Sequence, residues 1–372
     1  MSQAGPETPA AAQDIVFDRV VKTYPNATEP AVDDLSLTVP AGEICVLLGP
    51  SGSGKTTALM MVNRLAEITG GDIRIGGRSI RDLDPIQLRR SIGYVIQQTG
   101  LFPHLSIAEN VATVPKVLGW DKKRVKDRVG ELLELVGLPV GEFGRRYPSQ
   151  LSGGQRQRVG IARALAADPP VMLMDEPFGA LDPITREHVQ DEFLALHERL
   201  RKTVIFVSHD IDEAVKMGDR IAIFREGGKL AQYDTPRALL KQPADEFVAR
   251  FVGADRGLKR LTLTRLADLV HSGDLSPAGP DDARLPALAA DASLRSALSL
   301  MVAEGTEGVR VTESTGAESP GAESPGAQSA VTESAGAEST RAGEAGGAGG
   351  PEAGGKVLGV VSLDAVRKAG AA

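Results

Sequence analysis

The chain contains the octapeptide Gly49-Pro50-Ser51-Gly52-Ser53-Gly54-Lys55-Thr56. An apolar run at residues 43–48 precedes it, and a helical pattern at 55–65 begins within it. A glycine-rich loop between a strand and a helix points backbone N–H groups at phosphates, where the helix dipole also favours anions. In such a loop the lysine reaches the β- and γ-phosphates, and the following hydroxyl ligates Mg²⁺. We therefore predict an ATP site comprising these eight residues and Thr57, with Thr56 as a Mg²⁺ ligand.

The residues around this loop alternate between two patterns from about 15 to 253. Short apolar runs predict strands at 43–48, 92–97, 171–174 and 204–208. Amphipathic stretches predict helices at 55–65, 122–136, 155–166, 184–200 and 211–217. This alternation predicts an α/β domain with a mainly parallel sheet. Residues 220–224 and 229–234 flank Gly227-Gly228, which predicts a hairpin.

Two acids, Asp175 and Glu176, end the apolar run at 171–174. A carboxylate at this position can hold Mg²⁺ through its water shell, and a neighbouring one can polarise an attacking water. We assign the first role to Asp175 and the second to Glu176. The pair is a weak signal alone, but it becomes a strong one downstream of a phosphate loop.

A second anion-binding element is encoded by Leu151-Ser152-Gly153-Gly154-Gln155, which opens a predicted helix. Phosphate loop, LSGGQ and acidic strand, in this order, resemble the nucleotide-binding domain of ABC transporters. The resemblance implies an ABC-type P-loop fold, with a mainly parallel sheet, an antiparallel β part and a helical subdomain. It also implies ATP hydrolysis by a head-to-tail homodimer, in which each LSGGQ closes over the ATP of the other subunit.

The resemblance extends to four smaller motifs. Tyr24 resembles the aromatic residue that stacks on adenine, and Gln97 the glutamine that senses Mg²⁺ and water. Asp182 lies in a segment similar to the loop that crosses the dimer interface, and His209 resembles the histidine that steadies the γ-phosphate. Taken singly, three of these residues have an ordinary structural interpretation: Tyr24 as a core aromatic, Gln97 as a strand-end polar residue and His209 as a helix cap. Gln98 is a rival for the role of Gln97.

The overall composition is that of a globular protein. It is 42% hydrophobic and 24% charged, and the formal net charge is −7. This charge balance gives no general attraction to nucleic acid, so we predict no nucleic-acid partner. No apolar stretch approaches the roughly 18 residues that a membrane span needs.

Within the ABC family, residues 92–104 and 114–120 are similar to those of osmoprotectant importers. This implies uptake of a quaternary amine such as glycine betaine, choline or carnitine. It also implies integral membrane permease subunits, an extracytoplasmic substrate-binding protein acting through them, and a peripheral position on the cytoplasmic face of the membrane. The alternatives are an importer of another small solute and a soluble ABC ATPase outside transport.

The sequence outside the ABC region predicts three further segments. Residues 1–14 form a flexible tail before the ABC domain at 15–253. Residues 254–311 and 356–372 resemble a single degenerate CBS motif, a small α+β unit. The segment 312–355 is almost entirely Gly, Ala, Glu, Ser, Thr and Pro, with Gly-Ala-Glu-Ser-Pro repeated at 316–320 and 321–325. Its lack of apolar side chains predicts a disordered insertion.

Overall fold

The computed structural model describes residues 11–96, 100–313 and 356–371. The chain divides into two units, Met1–Lys259 and Arg260–Ala372. The strands are β1 (Ile15–Lys22), β2 (Val32–Val39), β3 (Ile44–Leu48), β4 (Gly70–Ile75), β5 (Arg78–Ser79), β6 (Ile92–Val95), β7 (Val171–Asp175), β8 (Thr203–Val207), β9 (Arg220–Arg225), β10 (Lys229–Asp234), β11 (Ala287–Ala289), β12 (Gly308–Thr312) and β13 (Val357–Ser362).

The α-helices of the described residues follow in chain order. They are α1 (Lys55–Val62), α2 (Pro85–Ser91), α3 (Ile107–Val111), α4 (Thr113–Val117), α5 (Lys122–Leu135), α6 (Val140–Phe143), α7 (Gly153–Leu165), α8 (Pro183–Leu200), α9 (Ile211–Met217), α10 (Pro236–Lys241), α11 (Glu246–Val252), α12 (Arg256–Leu263), α13 (Leu266–Ser272), α14 (Leu294–Glu304) and α15 (Leu363–Ala371). None of the helices in this part of the chain is long and apolar enough to cross a membrane.

The first unit is built around a mainly parallel sheet with the strand order β10-β9-β3-β8-β7-β6. Strand β3 pairs in parallel with both β8 and β9, whereas β9 and β10 form the predicted antiparallel hairpin. Every residue of β3 and of β8 is buried. Strands of a sheet that is covered on both faces consist of continuous apolar runs, because both sides of each strand are buried. Such runs made these two strands predictable from the sequence. The parallel sheet is confirmed.

An antiparallel sheet with the order β2-β1-β4-β5 packs in the same unit. Its strands alternate buried and more exposed residues, and Ile15, Leu35 and Ile73 are fully buried in a core shared with the parallel sheet. The helices α3 to α7 lie in sequence between β6 and β7 and form the helical part. The antiparallel and helical parts that the resemblance implied are therefore both present.

The second unit has its own small core around a three-strand sheet in the order β11-β12-β13. β11 is parallel to β12, and β12 is antiparallel to β13. Buried Leu294, Val309, Val361 and Val366 join α14 and α15 to the sheet. The order β11-α14-β12-β13-α15 is the β-α-β-β-α pattern expected for a CBS-like motif; the identification of that motif remains a proposal.

Two boundaries differ from the expected ones. β12 continues to Thr312, which pairs with Val357, so the first residue assigned to the insertion belongs to the sheet. Residues 314–355, and with them almost all of the predicted disordered insertion, lie outside the described residues, as do 1–10 of the predicted N-terminal tail. The first unit ends at Lys259 rather than at Gly253, because the Lys259 ammonium packs back 3.6 Å from a carboxylate oxygen of Asp212 on α9.

Candidate functional site

The predicted phosphate loop connects β3 to α1 and is folded around the side chain of Lys55. The ammonium donates hydrogen bonds to the carbonyl oxygens of Gly49 at 2.9 Å and Pro50 at 2.7 Å. Lys55 is only 7% exposed, and Ser53 is fully buried. Gly54, the N-cap of α1, has a φ of 88°, which aims the start of the helix into the loop. The loop therefore has the closed glycine-rich turn that phosphate binding requires.

Ala31 is part of this site, although no sequence motif indicated it. A Cβ atom on Gly54 would lie 2.2 Å from the Ala31 carbonyl oxygen, and one on Gly228 would lie 2.3 Å from the same atom. The backbone before β2 is thus packed between the phosphate loop and the β9–β10 hairpin. Because the contact involves a main-chain oxygen and two glycines, no pattern of side chains in the sequence could have predicted it.

Gly54→Ala should damage the nucleotide site much more than Gly52→Ala. Both glycines have positive φ, 88° and 79°, so both changes carry backbone strain of about 1 kcal/mol. Only the Gly54 variant also drives a methyl group into the Ala31 carbonyl, since nothing lies within 4 Å of a Cβ on Gly52. We expect Gly54→Ala to lose an additional 1–3 kcal/mol, roughly, of unfolding free energy and at least about tenfold more ATP affinity. Denaturant melts and nucleotide titrations of the two variants measure this; equal losses would contradict the packing argument.

The two acids at the end of β7 face different partners. Asp175 Oδ1 accepts a hydrogen bond from the Thr56 hydroxyl at 3.2 Å, which places side by side two of the three residues predicted to act at Mg²⁺, the third being Gln97. Glu176 follows with a left-handed φ of 43°, and its Oε1 lies 3.4 Å from Nδ1 of His209. Asp175 is therefore paired with Thr56, and Glu176 with His209.

The electrostatics of the site suit a divalent cation. Burial lowers the pKa of Lys55, and the charges of Glu176 and Asp175 act against this shift. Burial raises the pKa of Asp175, and the carboxylate of Glu176 raises it further, while the Thr56 hydrogen bond and Lys55 act in the opposite sense. A divalent cation between Thr56 and Asp175 would favour the ionised carboxylate, so this donor pair fits Mg²⁺.

An aromatic cluster anchors the segment after Glu176. Phe178 is fully buried, with its ring centroid 5.8 Å from that of Phe206 on β8 and 6.4 Å from that of Phe193 on α8. The segment then reaches Asp182, the N-cap of α8, whose carboxylate accepts from the backbone N–H of Thr185 at 3.1 Å. Hydrogen bonds from the Thr185 hydroxyl and from the Thr185 backbone N–H lower the pKa of Asp182.

The LSGGQ segment forms the start of α7. Ser152 is the N-cap: its hydroxyl accepts from the N–H of Gln155 at 3.2 Å, and the Gln155 side chain accepts from the N–H of Ser152 at 2.9 Å. Gly154 approaches α8 so closely that a Cβ would lie 2.6 Å from a methyl group of Thr185. The first turn of α7 is thus rigid, and Ser152 itself is exposed.

The structure brings one group of predicted residues together in a pocket of about 400 Å³. Its lining consists of one residue before β2, six residues of the phosphate loop and the start of α1, one of the two acids and the histidine: Ala31, Ser51, Gly52, Gly54, Lys55, Thr56, Thr57, Glu176 and His209. Leu151 to Gln155 and Asp182 do not line this pocket of the described chain. Tyr24 lies outside it as well, 41% exposed, with the Lys22 ammonium 4.8 Å from its ring centroid. Gln97 and its rival Gln98 lie outside the described residues.

Comparisons with known proteins agree with this geometry. Residues 32–179 match the family model described as ABC transporter. The chain is 46% identical over 303 residues to the glycine betaine uptake system ATP-binding protein YehX of Escherichia coli, covering 81% of this chain and 95% of that protein. The chain belongs to the ABC transporter family. It is an ABC ATPase.

Other relatives of this ABC ATPase have related names. The osmoprotectant import ATP-binding protein OsmV of Salmonella typhimurium is 56% identical over 250 residues, which cover 67% of this chain and 65% of that protein. The carnitine transport ATP-binding protein OpuCA of Listeria monocytogenes is 48% identical over 286 residues, covering 77% and 68%. The chain thus spans about two thirds of the length of these two relatives.

A solved structure also resembles the ABC ATPase. It is an ATP-binding cassette, described as a dimer in a post-hydrolysis state with ADP and Pi. The two share 37% sequence identity with a TM-score of 0.53, and the match covers 59% of this chain and 98% of that one. The ABC ATPase fold is thereby confirmed.

Proposed function

We propose that this ABC ATPase is the ATP-hydrolysing subunit of an importer for quaternary amines such as glycine betaine, choline or carnitine. The observation that carries the proposal is the similarity to YehX, a glycine betaine uptake ATP-binding protein, over 95% of that protein's length. The names of the Salmonella and Listeria relatives, osmoprotectant import and carnitine transport, support the same substrate class.

The pocket geometry suggests how the chain's residues divide the chemistry. The phosphate loop and Lys55 bind the β- and γ-phosphates, because Gly52, Gly54 and Lys55 line one small pocket at the start of α1. Glu176 accepts a proton from the attacking water, and His209, 3.4 Å from its carboxylate, steadies the γ-phosphate. Mg²⁺, when bound by Thr56 and Asp175, neutralises charge on the phosphates. Tyr24 is proposed to stack on adenine, and Gln97 to complete the Mg²⁺ and water contacts.

The second anion-binding element supports a head-to-tail homodimer. Ser152 stands exposed at the positive end of α7, yet it is outside the pocket that contains Lys55. A second subunit that presents its own Ser152 to this pocket would complete each ATP site, with Asp182 near the subunit boundary. The dimeric state of the similar solved cassette supports this arrangement.

The importer also requires other polypeptides. We propose integral membrane permease subunits, which would place the ATPase at the cytoplasmic face of the membrane, and an extracytoplasmic substrate-binding protein that acts through them. The second unit is proposed to be a single CBS-like motif, on the basis of its β-α-β-β-α order. The alternatives are a transporter of another small solute and an ABC ATPase outside transport.

Reconstitution of the ABC ATPase with its permease and substrate-binding protein in liposomes tests the proposal. Glycine betaine, choline or carnitine should be taken up with ATP and should raise ATP turnover about tenfold or more. Dimethylglycine, which lacks one N-methyl group and the fixed charge, is the matched control and should act much less. Uptake of a different solute would favour the first alternative. ATP turnover that does not depend on the permease or the substrate-binding protein would favour the second alternative, an ABC ATPase outside transport.

A further inference from the structure

One buried hydroxyl group, that of Ser208, positions the loop that carries His209. Ser208 is 1% exposed and lies directly before His209. Its Oγ accepts a hydrogen bond from the backbone N–H of Asp210 at 3.0 Å and donates its own proton to Oε2 of Glu213 on α9. Both chain neighbours of His209 therefore depend on the position of the Ser208 hydroxyl, and that hydroxyl is bound by Glu213.

The other carboxylate oxygen of Glu213 connects this loop to α8. Oε1 accepts a hydrogen bond from Nε2 of Gln190, a buried residue in the middle of α8, at 2.9 Å. One turn earlier, Arg186 donates to the carbonyl oxygen of Leu181 at 3.0 Å, directly before Asp182. Burial raises the pKa of the Glu213 carboxyl, while the hydrogen bonds from Ser208 and Gln190 and the nearby charge of Arg186 act against this shift. Glu213 thus joins the segment before α8 to the histidine loop.

The Glu213 side chain is not needed to begin its own helix. The N-cap of α9 is Asp210, whose Oδ1 accepts from the N–H groups of Asp212 at 2.8 Å and Glu213 at 3.3 Å. The helix start is therefore satisfied without the Glu213 carboxylate. A half-buried acid that is dispensable for its helix, yet bound on both oxygens, requires another explanation.

We infer that Glu213 is a positioning residue for ATP hydrolysis: it orients His209 beside Glu176 through Ser208, and couples that orientation to the Asp182 segment through α8. The inference rests on the proposed function, because it assumes that His209 acts at the γ-phosphate. Among the described residues, Glu213 does not line the nucleotide pocket, so it acts through the groups that bind its carboxylate, Ser208 and Gln190. A displacement of His209 by a fraction of an ångström would slow hydrolysis while leaving the phosphate loop intact.

Glu213→Met tests the inference because it nearly keeps the length and volume of the side chain but removes both acceptor oxygens. The hydrogen bonds from Ser208 and from Gln190 must then both be lost. We expect kcat to fall about tenfold, with the KM for ATP changed by less than about twofold. Glu187→Met, the same change at an exposed position of α8, is the matched control and should leave both constants unchanged.

A double-mutant cycle separates positioning from a general loss of structure. Ser208→Ala should lower kcat to a similar extent, and the variant carrying both changes should be no worse than either alone, because the changes break one shared contact. Independent effects would multiply to about a hundredfold loss and would overturn the inference. The inference would also be overturned by an unchanged kcat or by a change confined to the KM for ATP. A loss of kcat that is fully explained by a smaller fraction of protein able to bind ATP would overturn it as well. Wild-type turnover and Glu176→Gln, measured alongside, report on the proposed function separately.

Discussion

Glu176→Gln should lower the ATP turnover of this ABC ATPase by about a hundredfold or more, on the scale of losing a general base. The amide fills the same volume and can remain near His209, whose Nδ1 is 3.4 Å from Oε1 in the native site. It cannot, however, accept a proton from the attacking water. ATP affinity should change by less than about twofold, since the phosphate loop, Lys55 and Thr56 are untouched.

Single-turnover hydrolysis and equilibrium nucleotide binding, measured on the same preparation, check this result. Glu187→Gln, which neutralises an exposed acid on α8, should behave as the wild type. Turnover near the native value in the Glu176 variant would show that another group activates the water. A parallel loss of ATP affinity would instead indicate that the left-handed backbone at Glu176, with φ of 43°, had not survived the substitution.

The parts of the fold that the sequence predicted correctly are those specified by local patterns. β3 and β8 are buried throughout, so their apolar runs are continuous, and the glycine-rich loop lies directly between β3 and α1. The catalytic candidates follow from the same logic, because Asp175 and Glu176 end a strand of that sheet. The element types and the parallel sheet therefore needed little more than periodicity and one loop motif, whereas the strand order was not predicted from the sequence.

What the sequence did not predict depends on contacts between distant segments. Ala31 contributes its carbonyl oxygen, which packs against two glycines. The alanine side chain has no functional group that could have indicated a role in the site. Glu213 resembles any acid in the first turn of a helix until Ser208 and Gln190 are seen to bind its two oxygens. Thr312 was assigned to the low-complexity segment by composition, but its pairing with Val357 depends on a strand some 45 residues away.

Ser152→Arg should abolish the ATP-driven dimer while leaving ATP binding by each monomer nearly intact. Ser152 is exposed at the N-terminus of α7, outside the pocket of its own subunit, so its only route to a nucleotide is through a partner. An arginine there would fill the space intended for the partner's γ-phosphate and place a second cation against the partner's Lys55. We expect dimerisation to weaken by about a hundredfold or more.

Sedimentation in the Glu176→Gln background, where ATP persists, compares the dimer with and without Ser152→Arg. Loss of the Ser152 cap costs the helix about 1 kcal/mol, so the unfolding free energy of the variant must be measured to exclude simple unfolding. Ser299→Arg, the same change on an exposed position of α14, controls for added charge and should dimerise normally. If both arginine variants formed the ATP-dependent dimer equally well, the two anion-binding elements would have to act within one subunit. Since Ser152 does not line the pocket of its own chain, that result would demand a large rearrangement of α7 against β3 and α1, and the head-to-tail arrangement would be wrong.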